Sequence, residues 1–247
     1  MKITDIKIYA AEYAQTSKSL TNKKWVFLKM ETDEGIHGWG EVGSSVNVSE
    51  NFMATAIKEV SPQLIGENPM DIDRLWNKLF RMFSYMGSRG FTTSLTAGFD
   101  IALWDIKGKV SGLPVYDLLG GRYRDPVRLY CNAWFTGCST PEEYAKAAKS
   151  NVVDNGHTAC KLDPFLEMTQ YHTMYQDGFI SEEGEQLGYD IVAAVREVVG
   201  PEIEILIDAH GHYNVPNAVR ISNNLYERFN IAWFEEPVPP EGINALK

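Results

Sequence analysis

The sequence predicts an α+β domain followed by part of a parallel (β/α) barrel with about four βα units. Strand-like alternation comes first, then helical periodicity, and from Val127 onward strands and helices take turns. Two of the later strands end abruptly in acid, at Asp208 and at Glu235.

Ile3 to Ala11 and Trp25 to Glu31 alternate apolar with polar residues, Asp33-Glu34-Gly35 supplies a turn, and Ile36 to Val42 completes a three-stranded meander. Polar stretches at Gln15 to Lys24 and Gly43 to Glu50 read as loops. Ser49 to Leu64, Pro69 to Phe83 and Thr93 to Val110 carry apolar residues at helical spacing, and Gly112-Leu113-Pro114 ends the last of them. A short helical turn is expected at Val115 to Leu119, and the α+β domain is assigned to residues 1–125.

Residues 126–247 follow a different grammar. Strands are expected at Val127 to Ala133, Thr158 to Leu162, Ile203 to Ile207 and Ile231 to Phe234. Thr140-Pro141-Glu142-Glu143 opens the first helix, Ser181-Glu182-Glu183 the second, and Pro216 to Phe229 forms the third. This spacing implies a parallel sheet. Pro164 to Ile180 is too long for an ordinary βα loop. Its Tyr171, Met174, Tyr175 and Phe179 suggest a lid or an interface element. A helix is expected to begin at Glu241, so the chain reads as the N-terminal portion of a longer protein, or else as a half-barrel that closes by dimerising.

A formal net charge of −10 disfavours nucleic acid and anionic membrane as partners. No apolar run is long enough to span a bilayer, and the N-terminus has no signal-peptide pattern. Cys131, Cys138 and Cys160 are odd in number and lack metal-type spacing, so reduced thiols in a cytoplasmic protein are expected.

Asp208 and Glu235 occupy equivalent positions on neighbouring strands, and two such acids repel unless a cation or proton sits between them. Oxygen ligands favour Mg²⁺. An Asp at that position equally caps the next helix. His210, two residues beyond Asp208, points the same way on an extended backbone and suits proton transfer, with a structural histidine as the alternative. His212 shares its parity. Lys161 and Asp163 repeat the two-residue spacing at the end of the second strand. Lys161 either offsets a substrate carboxylate, acts as a base, or forms a surface salt bridge.

The run Ala97-Gly98-Phe99-Asp100-Ile101-Ala102-Leu103-Trp104-Asp105-Ile106-Lys107-Gly108-Lys109, continued by Gly112-Leu113-Pro114-Val115-Tyr116-Asp117-Leu118-Leu119-Gly120-Gly121, resembles the enolase superfamily in its mandelate racemase and muconate-lactonizing branch. The resemblance covers the whole chain. It implies an α+β capping domain over a modified TIM barrel, Mg²⁺ held by Asp208 and Glu235, and chemistry that begins at the proton α to a carboxylate. Lys161-Leu162-Asp163 lacks the second lysine usual in racemases and cycloisomerases of the branch. Asp208-Ala209-His210-Gly211 is similar to the acid-sugar dehydratases, which implies that His210 is the acid expelling a β-hydroxyl. Asp163 and His212 are expected to contact substrate; many members carry Arg where His212 stands. The resemblance places a third metal ligand and a His–Asp base on later strands, and it implies a sugar-acid substrate and a homo-oligomer. Its rivals are a racemase, epimerase or cycloisomerase of the same branch and an inactive half-barrel or assembly protein.

Overall fold

The computed structural model describes residues 1–12, 24–43, 50–87, 90–169 and 178–246, which divide into two compact units, Met1–Asp125 and Pro126–Lys247. The loops expected at 15–24 and 43–50 fall largely outside the described residues, as do Tyr171, Met174 and Tyr175. Among the described residues no helix is long and apolar enough to cross a membrane.

In the first unit, β1 (Ile3–Glu12), β2 (Lys24–Thr32) and β3 (His37–Val42) form an antiparallel sheet in that order. The alternation does what a period of two must: Val26, Leu28 and Met30 are buried on one face of β2. That face packs with α1 (Glu50–Val60), α2 (Ile72–Met82) and α3 (Phe91–Ser111) through Ile57, Leu75, Phe99 and Leu103. Gly112 ends α3 with φ +66°, a left-handed cap that favours glycine. The short α4 (Val115–Leu118) follows.

The α3–β3 contact explains the glycines in that stretch. A Cβ on Gly38 would strike the carbonyl oxygen of Ala102, and one on Gly40 that of Gly98. A Cβ on Gly98 would in turn meet Val42. Without side chains at these points the helix backbone lies directly on the strand. Asp105 accepts a hydrogen bond from the Trp39 amide at 2.8 Å, and Lys109 Nζ donates to the His37 carbonyl at 2.8 Å.

In the second unit a capping box opens α5 (Pro141–Ala148): the Glu143 amide donates to the Thr140 side chain, and the Glu143 carboxylate accepts from the Thr140 amide. The helix runs on as a π-turn over Lys149–Val153. Then come β4 (Ala159–Leu162), α6 (Leu166–Thr169), α7 (Glu182–Val199), β5 (Glu204–Asp208), α8 (Val215–Phe229) and β6 (Trp233–Glu235). The three strands are parallel in the order β4-β5-β6. Cys160, Leu162, Ile205 and Ile207 pack into the core with Ile191, Val195, Ile221 and Leu225 of the helices. Lys161, Leu206 and Asp208 take the opposite parity.

The strand expected at Val127 to Ala133 is reduced to a single bridge, Cys131 to Cys160. Ala133 has φ +56° and its amide donates to the Asn132 side chain at 2.8 Å, so the backbone leaves the extended region as soon as the bridge is made. Residues Pro240–Leu246 form a 3₁₀ stretch interrupted at Gly242 rather than the start of an α-helix. The segment after β4 is anchored at both ends. Phe165 is buried edge-on against Tyr189 and Tyr213, and Glu167 accepts the Ser181 amide at 2.9 Å. Phe179, by contrast, is exposed.

Candidate metal and acid–base centre

Asp208 and Glu235, the last residues of β5 and β6, are register partners. Parallel pairing of acid-tipped strands therefore puts both carboxylates on one edge of the sheet. Lys161, one residue before the end of β4, reaches the same point. Its Nζ donates to Asp208 Oδ2 at 2.7 Å and to Glu235 Oε1 and Oε2, each at 3.1 Å. The Lys161 ammonium thus lies between the two acids and bonds to both.

The ion pair is not the surface salt bridge the sequence also allowed. The Lys161 and Asp208 side chains are 9% and 4% exposed. Burial alone would lower the lysine's pKa, but the hydrogen bonds from Asp208 and Glu235, with their charges, more than offset it and the pKa is raised. Removing one member of such a buried set costs about 3–5 kcal/mol, because the remaining charge is left uncompensated.

His210 joins the cluster by a different route from the one parity suggests. Its φ is +49°, so the backbone is left-handed, not extended. The turn is held by the His210 amide donating to Asp208 Oδ1 at 3.1 Å and by the Gly211 amide donating to the Glu236 carbonyl at 2.7 Å. The imidazole then lies between two acids, with Nε2 3.1 Å from Asp163 Oδ2 and Nδ1 3.3 Å from Asp208 Oδ1. Its pKa is raised above the ordinary 6.5, first by the hydrogen bond to Asp163, against burial, with the charges of Asp163 and Asp208 adding to the rise and that of Lys161 opposing it. Both nitrogens face carboxylate oxygens, so the arrangement favours the imidazolium.

The His212 ring centroid is 6.3 Å from that of His210, and the His212 amide donates to the Ala209 carbonyl at 3.1 Å. Glu236 contributes a backbone carbonyl from a residue at φ +42°.

Sequence reasoning missed three aromatic residues at the site. The Trp233 indole N–H donates to Glu235 Oε2 at 3.2 Å; its spacing of two from Glu235 was the available signal. Tyr130 lies edge-on to Trp233, with its ring centroid 5.7 Å from Lys161 Nζ. The Trp134 indole donates to the Lys161 carbonyl at 2.8 Å.

Three carboxylate oxygens within 3.1 Å of one point form a hard-donor set that fits a divalent ion. Mg²⁺ ligands sit at about 2.0–2.1 Å, so the oxygens would have to close in by about 0.6–1.1 Å from their 2.7–3.1 Å distances once the ammonium leaves. Asp163, Asp208 and His210 also bring ligand atoms within 4.8 Å of one another. Those three are joined by the imidazole's own hydrogen bonds.

Acid-tipped parallel strands, with a lysine and a histidine gathered at their C-terminal ends, are what part of a (β/α) barrel presents at its functional face. Two family profiles match: "Mandelate racemase / muconate lactonizing enzyme, N-terminal domain" over residues 5–120, and "Enolase C-terminal domain-like" over residues 143–247. The chain belongs to the enolase superfamily, in its mandelate racemase/muconate-lactonizing branch. It is 36% identical to a D-galactonate dehydratase from Pectobacterium atrosepticum, over 98% of this chain and 56% of that protein. It is 32% identical to a D-galactarolactone cycloisomerase from Agrobacterium fabrum, over 99% of this chain and 61% of that protein. A solved enolase-superfamily member from Salmonella Typhimurium superposes with a TM-score of 0.85 at 32% identity, over 99% of this chain and 64% of that one. The chain thus spans roughly three-fifths of the length of the relatives it matches, and the α+β capping domain followed by a partial barrel agrees with that coverage.

Proposed function

We propose that the protein is an Mg²⁺-dependent hydro-lyase that dehydrates a sugar acid, an aldonate or aldarate, to a 2-keto-3-deoxy acid through an enediolate. One observation carries the reading: Lys161, Asp163, Asp208, His210 and Glu235, from three successive parallel strands and the turns that follow them, meet at one place. Similarity to the D-galactonate dehydratase supports the substrate class.

Asp208 and Glu235 would hold the cation. When bound, it would lend positive charge to the substrate carboxylate as the α-proton passes to the His–Asp base that the family resemblance places on later strands. His210 is the general acid. Asp163 and Asp208 keep its ring charged and oriented; the proton it gives is the one on Nε2, which passes to the β-hydroxyl when that oxygen replaces Asp163 Oδ2 as its partner. The C–O bond breaks and the hydroxyl departs as water. Lys161 supplies the counter-charge for the substrate carboxylate, and Asp163 and His212 border the same space.

The test is incubation of the full-length protein and Mg²⁺ with a series of aldonic and aldaric acids, followed by detection of a 2-keto acid. A keto product from at least one acid is expected, and none from any counts against the proposal. Deuterium incorporation at the α-carbon without loss of water would instead favour a racemase or epimerase.

A further inference from the structure

Asp208 and Glu235 each have a second anchor that does not involve Lys161. The His210 amide holds Asp208 Oδ1 at 3.1 Å, and the Trp233 indole holds Glu235 Oε2 at 3.2 Å. Both anchors sit on rigid groups, a backbone amide and an indole ring. The third partner they share, the Lys161 ammonium, rides on a flexible four-carbon stem. The exposed Tyr130 ring, 5.7 Å from Nζ, is the aromatic neighbour of the ammonium where it stands.

We propose that Lys161 is a displaceable internal counter-ion: it occupies the cation point between Asp208 and Glu235, and a divalent cation binds by expelling its ammonium from between them. The inference rests on the reading of Asp208 and Glu235 as cation ligands. It adds two properties. The resident lysine holds metal affinity down, since each metal ion must break three ammonium–carboxylate contacts. Metal entry also frees a positive charge next to the metal, so binding of the cation creates the binding point for an anionic substrate group. By linkage, an anion that captures the freed ammonium tightens metal binding by the same factor.

Two measurements test this. Mg²⁺ is titrated calorimetrically into the wild-type chain and into Lys161→Met, and Lys161 acylation is followed by mass spectrometry with and without saturating Mg²⁺. Lys161→Met is expected to bind Mg²⁺ about 10- to 100-fold more tightly than wild type. In the wild type, Lys161 is expected to be protected without metal and to become severalfold more reactive with it. The acylation arm separates displacement from simple charge repulsion, which would weaken binding while leaving Lys161 protected. It also decides the matter if Lys161→Met does not fold. Wild type that binds Mg²⁺ with Lys161 still protected overturns the exchange but leaves the metal site standing. No Mg²⁺ binding by either protein, with Lys161 labelling unchanged, overturns both.

Discussion

Replacing Gly40 with alanine tests the packing that underlies the family's most diagnostic stretch. Its new Cβ would sit under 3.0 Å from the Gly98 carbonyl oxygen, which belongs to helix backbone and cannot rotate away. The helix must therefore retreat from β3 by on the order of 1 Å. Overpacking of this kind costs about 1–3 kcal/mol by itself. The same retreat stretches the Trp39–Asp105 and Lys109–His37 hydrogen bonds, both 2.8 Å. Each is worth about 1 kcal/mol or somewhat more, since both involve a charged group. The total is about 3–5 kcal/mol, a large share of the roughly 5–15 kcal/mol that holds a typical domain together. Gly35→Ala is the control: φ is +79° there, but nothing lies within 4 Å of the new Cβ, so the cost is only the backbone strain, about 1 kcal/mol. Urea unfolding followed by circular dichroism reads both. A Gly40→Ala loss no larger than that of Gly35→Ala would refute the close-contact account.

Arg196 donates to the carbonyls of Gly200, Ile203, Phe229 and Asn230 at 2.7–3.1 Å, tying together the ends of α7 and α8 and the approach to β5. Arg196→Met should cost about 3 kcal/mol or more in thermal or urea unfolding, and Arg196→Lys should recover less than half of it, because one ammonium cannot span the set. Full rescue by lysine would contradict the clamp. Glu67 is held at about 2, below its ordinary 4.5, by hydrogen bonds from Arg74 and then Lys78. The folded pKa is depressed, so the stabilisation is present above pH 4.5 and lost as pH falls towards 2. Glu67→Gln should flatten the pH dependence of the urea midpoint across that window; an unchanged slope would count against it.

Much of the fold was legible because it rests on local chemistry. Alternation in Trp25 to Glu31 needs only a period of two to bury Val26 and Leu28, and Thr140 with Glu143 announces a helix start within one turn. Acid at the ends of two apolar strands anticipated the pairing of Asp208 with Glu235. What was not legible depends on contacts between residues far apart in sequence or on backbone torsion. Lys161 finds Glu235 across 74 positions, and nothing in either neighbourhood announces it. The left-handed backbone at His210 carries the ring to Asp163 by a path that strand parity does not describe. Likewise, Ala133 turns out of the extended region where the apolar pattern from Val127 continues, and the expected strand shrinks to one bridge.

The most direct test of the central claim is an anomalous difference map from crystals of the protein soaked in Mn²⁺, an ion that shares magnesium's preference for oxygen ligands. The account predicts one peak within about 2.2 Å of carboxylate oxygens from both Asp208 and Glu235, with the lysine nitrogen displaced from between them. A peak centred among Asp163, Asp208 and His210 instead, or no peak at the strand tips, would contradict it.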